Sequence, residues 1–245
     1  MKLKTTIVFL MLAALQSVQA QMVNRETYLK EFEKRAAFVT SIYDTVQSPG
    51  YFQIAVRYAH AKDIAGADKM FKELLRDPRG DMFWMIPSIG AYLFGKDKMS
   101  TETRDIVRNA WKTYAPYRGD TENHWCMYYS ALFLAAEQWP NLPGSEWYNG
   151  KSSDENRQEA KDYLIHWMKI TTTIGQGEFD SPDYFPEYAM PMFLLSQFAQ
   201  DPARSCWISS WSMARGKASG TLTRSSRFNR SGCTTSRSTR YRSKA

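Results

Sequence analysis

The sequence predicts an all-α protein built from antiparallel helical hairpins. Three observations predict it. Between residues 25 and 200, apolar side chains recur at three- and four-residue steps. Capping residues at one end and Pro or Gly at the other punctuate these stretches repeatedly. No run of alternating apolar and polar residues is long enough to argue a sheet. The expectation is about six or seven helices of roughly 10 to 18 residues.

The segment opening at Asn24, a candidate cap, carries Tyr28, Phe32, Ala36, Val39 and Tyr43 on one stripe. "AGADKMFKELLRD" places Ala67, Phe71 and Leu74 or Leu75 on one face, and Asp77-Pro78 stops it. "DMFWMIPSIGAYLFGK" is apolar throughout, with Pro87 and Gly95 inside it. Ser100 or Thr101 caps the next helix, whose stripe is Ile106, Ala110, Trp111 and Tyr114. A further helix runs from Asp120 to Trp139. After a Gly-Lys-Ser-Ser loop, Ala160, Tyr163, Leu164, Trp167 and Met168 face inward on another. The last helix is expected to begin with Ser181 as cap and Pro182 in its first position.

The first twenty residues stand apart from this fold. A basic start at Lys2 and Lys4, an apolar run from Ile7 to Leu15 and small residues up to Ala20 read as a secretory signal peptide. The apolar run falls short of the roughly 20 residues that a spanning helix needs. The expected location is secreted or periplasmic in a bacterium, with no membrane attachment after cleavage. Residues 21–202 form the helical domain.

The net charge of +7 is unevenly placed. From Ala203 onward there are ten Lys or Arg and no acid, so removing them leaves −3, and removing Lys2 and Lys4 leaves −5 for residues 21–202. A mildly acidic body argues against nucleic acid as a partner. The 203–245 tail is rich in Ser, Arg and Thr and has no helical or strand period. It reads as a basic disordered tail, a low-complexity extension or, the favoured reading, out-of-frame translation. Two of the three cysteines lie in it, so Cys126 alone in the body supports no disulfide framework.

Two segments carry candidate chemistry. In "GDTENHWCMYY", Asn123 and His124 sit at a helix N-terminus, where backbone N–H groups and the dipole favour developing negative charge. A neutral imidazole there can act as a base. Tyr128 lies four residues on along the same face, and Trp125 adds a second aromatic surface. The same residues also read as a capped polar helix start, with Asp120 or Thr121 as cap. In "GQGEFDSPDYFPEY", two glycines, several acids and Tyr184 and Tyr188 crowd a loop leading into a helix. Its blander reading is a capping loop with packing tyrosines. Glu122 and Glu178, with Asp180 nearby, are also candidate glycosidase carboxylates. Among the other histidines, His166 reads as a core residue within an apolar helix, and His60 is unassigned. No metal-binding spacing and no Gly-rich phosphate loop occur, and no cofactor is expected.

Taken together, the two segments resemble the α/α-toroid polysaccharide lyases of the alginate lyase type. A polar run ends in Asn-His at a helix start. Roughly 60 residues later a Tyr is followed by "EYAMPMFLLSQFA". The resemblance covers roughly residues 115 to 200 and implies an incomplete (α/α) toroid around a sugar-binding cleft. It implies an exported enzyme cleaving a uronate-containing polysaccharide or oligosaccharide by β-elimination. The charge-neutralising Asn falls on Asn123, the His on His124 and the catalytic Tyr on Tyr184. Glu122, Trp125, Tyr128, Glu178, Asp180 and Tyr188 are the expected substrate contacts. Glu122 stands where the family has a second Asn, and the family's Arg before the Tyr has no counterpart in Gly177 to Asp180. The alternatives are a glycoside hydrolase and a non-catalytic glycan-binding helical protein.

Overall fold

The computed structural model describes residues 24–45, 48–178 and 181–201. The predicted signal peptide, the 203–245 tail and Asp180 lie outside the described residues. Among those described there are eight α-helices, one short 3-10 turn and no strand, so the protein is all-α. No described helix is long and apolar enough to cross a membrane.

The chain divides into two units, residues 1–46 and 47–245. The first is represented by α1 (Arg25–Thr45). Its predicted cap holds: Asn24 Oδ1 accepts from the Glu26 N–H at 2.9 Å. Tyr28 and Phe32 of its apolar stripe are exposed and stack on each other, 6.4 Å between ring centroids.

The second unit contains α2 (Tyr51–Ala59), α3 (Ile64–Leu75), α4 (Met82–Gly95), α5 (Thr101–Thr113), α6 (Glu122–Gln138), α7 (Ser153–Ile174) and α8 (Phe185–Phe198). Helix α2 is absent from the sequence reading. It spans only nine residues, and its N-cap is Gly50, which has no side chain to announce it. Three other starts, those of α3, α5 and α7, carry side-chain caps. Asp63 accepts from Gly66 N–H, and Ser100 from Thr103 N–H. Ser152 and Glu155 form a reciprocal capping box at the head of α7. Helix α8 begins later than predicted. Ser181 Oγ accepts from Tyr184 N–H at 3.4 Å, closing a turn ahead of the helix, so Pro186 rather than Pro182 falls at its start.

Consecutive helices pair, α2 with α3 and α6 with α7. The hub is α6, which packs against α4, α7 and α8. Every residue from Cys126 to Ala136 is buried, which is why this helix reads apolar all round rather than along one stripe. Trp84 of α4 and Trp111 of α5 are fully buried with rings 5.3 Å apart, anchoring the far side of the core. Cys126 is a buried free thiol whose pKa burial pushes up, so it is an inert packing group. A core hub of this kind leaves one polar end, the N-terminal turn of α6, to be completed by neighbouring segments.

Candidate functional site

The loop before α6 is held by α4. Asp81 Oδ1 accepts from Tyr117 N–H at 2.7 Å, and Tyr114 donates to the same oxygen at 3.3 Å. Gly119 then turns the chain at φ +84°, and a Cβ there would lie 2.5 Å from His124. Only glycine meets both demands. The turn delivers Glu122, Asn123, His124 and Trp125 onto the first turn of α6.

From there five residues form a closed circuit across three helices and a loop. Trp167 Nε1 of α7 donates to Glu122 Oε1 at 2.6 Å. The Trp167 ring stacks on Tyr188 of α8, 5.8 Å between centroids and 3° from parallel. The Tyr188 hydroxyl donates to Glu178 Oε2 at 2.6 Å. Asn123 Nδ2 donates to that same oxygen at 2.8 Å, and Asn123 adjoins Glu122 in sequence. Asn123 and Tyr188 are nearly closed to solvent, 2% and 3% exposed. Thr121 Oγ1 donates to Asn123 Oδ1 at 3.0 Å and thereby fixes which way the amide points, instead of capping the helix. Burial, and then the hydrogen bond to Glu178, push the Tyr188 phenol far above its ordinary value, so it stays protonated and donates.

The loop after α7 closes on the same place. Gly177 N–H donates to Glu122 Oε2 at 2.6 Å, and a Cβ at 177 would come within 2.9 Å of that oxygen. Glu122 and Glu178 therefore belong to one circuit, the first gripped by Trp167 and Gly177, the second by Asn123 and Tyr188.

Beside the circuit lies an open cleft of about 520 Å³. Asp120, Thr121, Glu122 and Trp125 line one side, Tyr163, His166, Trp167, Ile170 and Ile174 the other, and Gly175 to Gly177 the end. Trp125 and Tyr163 meet edge to face at 5.9 Å, making an aromatic wall. Aromatic faces with acids at the rim suit a sugar, whose C–H face stacks while its hydroxyls hydrogen-bond.

The predicted residues distribute as follows. Asn123, Glu122, Glu178 and Tyr188 are brought together, and Glu122 and Trp125 also line the cleft. His124 is half-buried next to them, edge-on to Phe83 at 5.5 Å, with a buried Nδ1 that has no hydrogen-bond partner among the described residues. Tyr128 points away from the cleft lining, buried, accepting a hydrogen bond from Tyr148 at 2.8 Å. Tyr184 is 46% exposed at the start of α8, and its hydroxyl has no hydrogen-bond partner among the described residues.

His166 is corrected: it is exposed and lines the cleft rather than filling the core. Its apolar neighbours in sequence, Leu164, Ile165 and Trp167, turn to a different face because each residue rotates about 100° around the helix. Gln176, which no sequence signal marks, also lines the cleft, and Tyr163, which the sequence predicts to face inward, is half-buried in the cleft wall. Helical periodicity around α7, applied residue by residue, would have flagged His166.

No protein-family model matches the chain, and no curated protein or solved structure matches it.

Proposed function

We propose that the chain is a carbohydrate-active enzyme of the α/α-toroid kind that cleaves a uronate-containing glycan by β-elimination. One observation carries the reading. A buried amide, Asn123, and a buried phenol, Tyr188, converge on a single carboxylate oxygen. β-Elimination from a uronate asks for such a seat. A donor must hold the sugar carboxylate and stabilise the enolate-like charge that forms when the C5 proton leaves. In the free protein the seat holds Glu178, and a substrate carboxylate would take its place.

In this scheme His124 removes the C5 proton. The C5–H electron pair becomes the C4–C5 double bond, the C4–O bond breaks, and a tyrosine gives its proton to the departing oxygen. Tyr188 is the tyrosine given this role: its one proton passes from the carboxylate in the seat to the C4 oxygen, Asn123 alone then holds the carboxylate, and the phenolate regains a proton from the His124 imidazolium. Tyr184, the position the resemblance indicates, is the competing assignment. Trp125 and Tyr163 supply the surface on which the sugar stacks.

A second reading is glycoside hydrolysis. It is favoured by two carboxylates, Glu122 and Glu178, held in one hydrogen-bonded circuit beside the cleft, where one would act as acid and the other as base or nucleophile.

The test is incubation of the protein with uronate polysaccharides and with neutral glycans. New ultraviolet absorbance from a double bond conjugated to the carboxylate is the expected result. New reducing ends without that absorbance would replace elimination with hydrolysis. Binding without either product would leave a glycan-binding protein.

A further inference from the structure

We infer that Arg118 is a specificity-determining residue that holds an anionic group of the glycan, a carboxylate, against the aromatic wall of the cleft. The inference rests on the glycan reading of that cleft and names the charge of its ligand.

Arg118 lies two residues before the cleft-lining Asp120 and reaches the cleft through Trp125 rather than lining it. Its guanidinium carbon sits 4.0 Å from the centre of the Trp125 ring, a stacking distance, and Trp125 lines the cleft. Arg118 Nη1 donates to the Tyr129 hydroxyl at 3.1 Å. Tyr129 in turn stacks on Tyr163, 4.3 Å between centroids, and Tyr163 is the other half of the wall. The cation is therefore held from two sides by groups that also shape the cleft. A ring face below and a phenol at one edge fix the guanidinium plane without neutralising it.

Its partners leave it charged and unspent. Arg57, Arg79, Arg108 and Arg157 each have an Asp or Glu within 4.0 Å, whereas Arg118, like Arg76 and Arg104, has none that close among the described residues. Nε and Nη2 have no hydrogen-bond partner among the described residues. The planar fork of guanidinium donors matches the two oxygens of a carboxylate, a fit that an ammonium would not give. Glu122 and Glu178 are each gripped by two donors of their own, and Asp120 accepts from the Tyr117 hydroxyl, so the acid whose charge acts on Arg118 is the more distant Glu159. An exposed, oriented guanidinium with no carboxylate in direct contact, set against a sugar-stacking tryptophan, is the arrangement that separates an acidic sugar from a neutral one.

The experiment compares one uronate oligosaccharide with the same oligosaccharide after its carboxylates are reduced to alcohols. Dissociation constants are measured by calorimetry on the wild type, Arg118→Gln and Arg118→Lys. The wild type is expected to prefer the acidic form by about tenfold, the size that one charge-assisted contact gives. Arg118→Gln is expected to lose most of the preference, the remainder coming from the seat at Asn123 and Tyr188, and Arg118→Lys to recover part of the loss. Near-ultraviolet circular dichroism checks that Trp125 keeps its packing in both variants. A preference unchanged in Arg118→Gln overturns the assignment and leaves the glycan reading standing. A wild type that binds both forms equally does the same. A wild type that binds neither overturns the assignment together with the glycan reading.

Discussion

Asn123 and Glu178 stand 55 positions apart and are joined by a 2.8 Å hydrogen bond at the buried head of α6. With Tyr188 bound to the same oxygen, that contact ties the loop after α7 to α6 and α8. It does so by placing one carboxylate where two buried donors need an acceptor.

Glu178→Ala should therefore destabilise the fold. It orphans the Asn123 amide and the Tyr188 hydroxyl, and an unmet buried polar group costs about 1–3 kcal/mol. Urea unfolding should show a lower midpoint with an unchanged slope. An unchanged midpoint would mean that water fills the seat at no cost. Added glucuronate should restore part of the loss in the variant and have less effect on the wild type.

The two tyrosines make opposite predictions for turnover. If Tyr188 supplies the proton, Tyr188→Phe should lower kcat by about 100-fold or more, as removal of a general acid does. Tyr184→Phe should stay within a few-fold of the wild type, because that side chain is half in solvent and bonded to nothing in the circuit. The reverse order would return the role to Tyr184.

Stability should also depend on pH through Glu187. Burial raises its carboxyl above the ordinary 4.5, and the charge interaction with His124 opposes this by less. The folded state thus holds this proton more tightly than the unfolded chain does. The resulting stability is fully present below pH 4.5 and is lost as pH rises through the folded value. Comparing wild type with Glu187→Gln cancels the other titrating groups. The wild-type advantage in urea midpoint should shrink from acid to neutral pH. A difference that stays flat across that range would remove Glu187 from the account.

Much of the secondary structure is legible in the sequence because the signals are local. Asn24, Ser100 and the Ser152–Glu155 pair cap helices where they should, and each acts on a backbone N–H two or three residues away. Helix α2 was hidden because a glycine cap and two turns carry too little periodic signal. The site was half legible for the same reason. Asn123 and Glu178 each stand out by local density, yet their hydrogen bond spans α6, α7 and the following loop, and no pattern along the chain encodes it. Arg118 was unreadable. Its neighbours in sequence are Tyr117 and Gly119, while the groups that orient it, Trp125 and Tyr129, come from two successive turns of α6.

Asp68 supplies the opposite pH dependence, away from the site. Burial alone would raise its carboxyl, but hydrogen bonds outweigh that and bring it below the ordinary 3.8. Tyr58 donates to Oδ1 at 2.6 Å and Ser100 N–H to Oδ2 at 2.9 Å, so one carboxylate links α2, α3 and the cap of α5. Because the folded state binds this proton less tightly, the stability is present above pH 3.8 and is lost as pH falls through the folded value. Asp68→Asn retains the shape but has one acceptor oxygen for two donors. It should cost about 1–3 kcal/mol at neutral pH, the penalty of one unmet buried partner. The deficit should narrow in acid, where the wild-type carboxyl is protonated and can no longer accept from both partners as an anion. Urea midpoints of the two proteins, followed from pH 7 down to pH 3, test this; a deficit that widens in acid would contradict it.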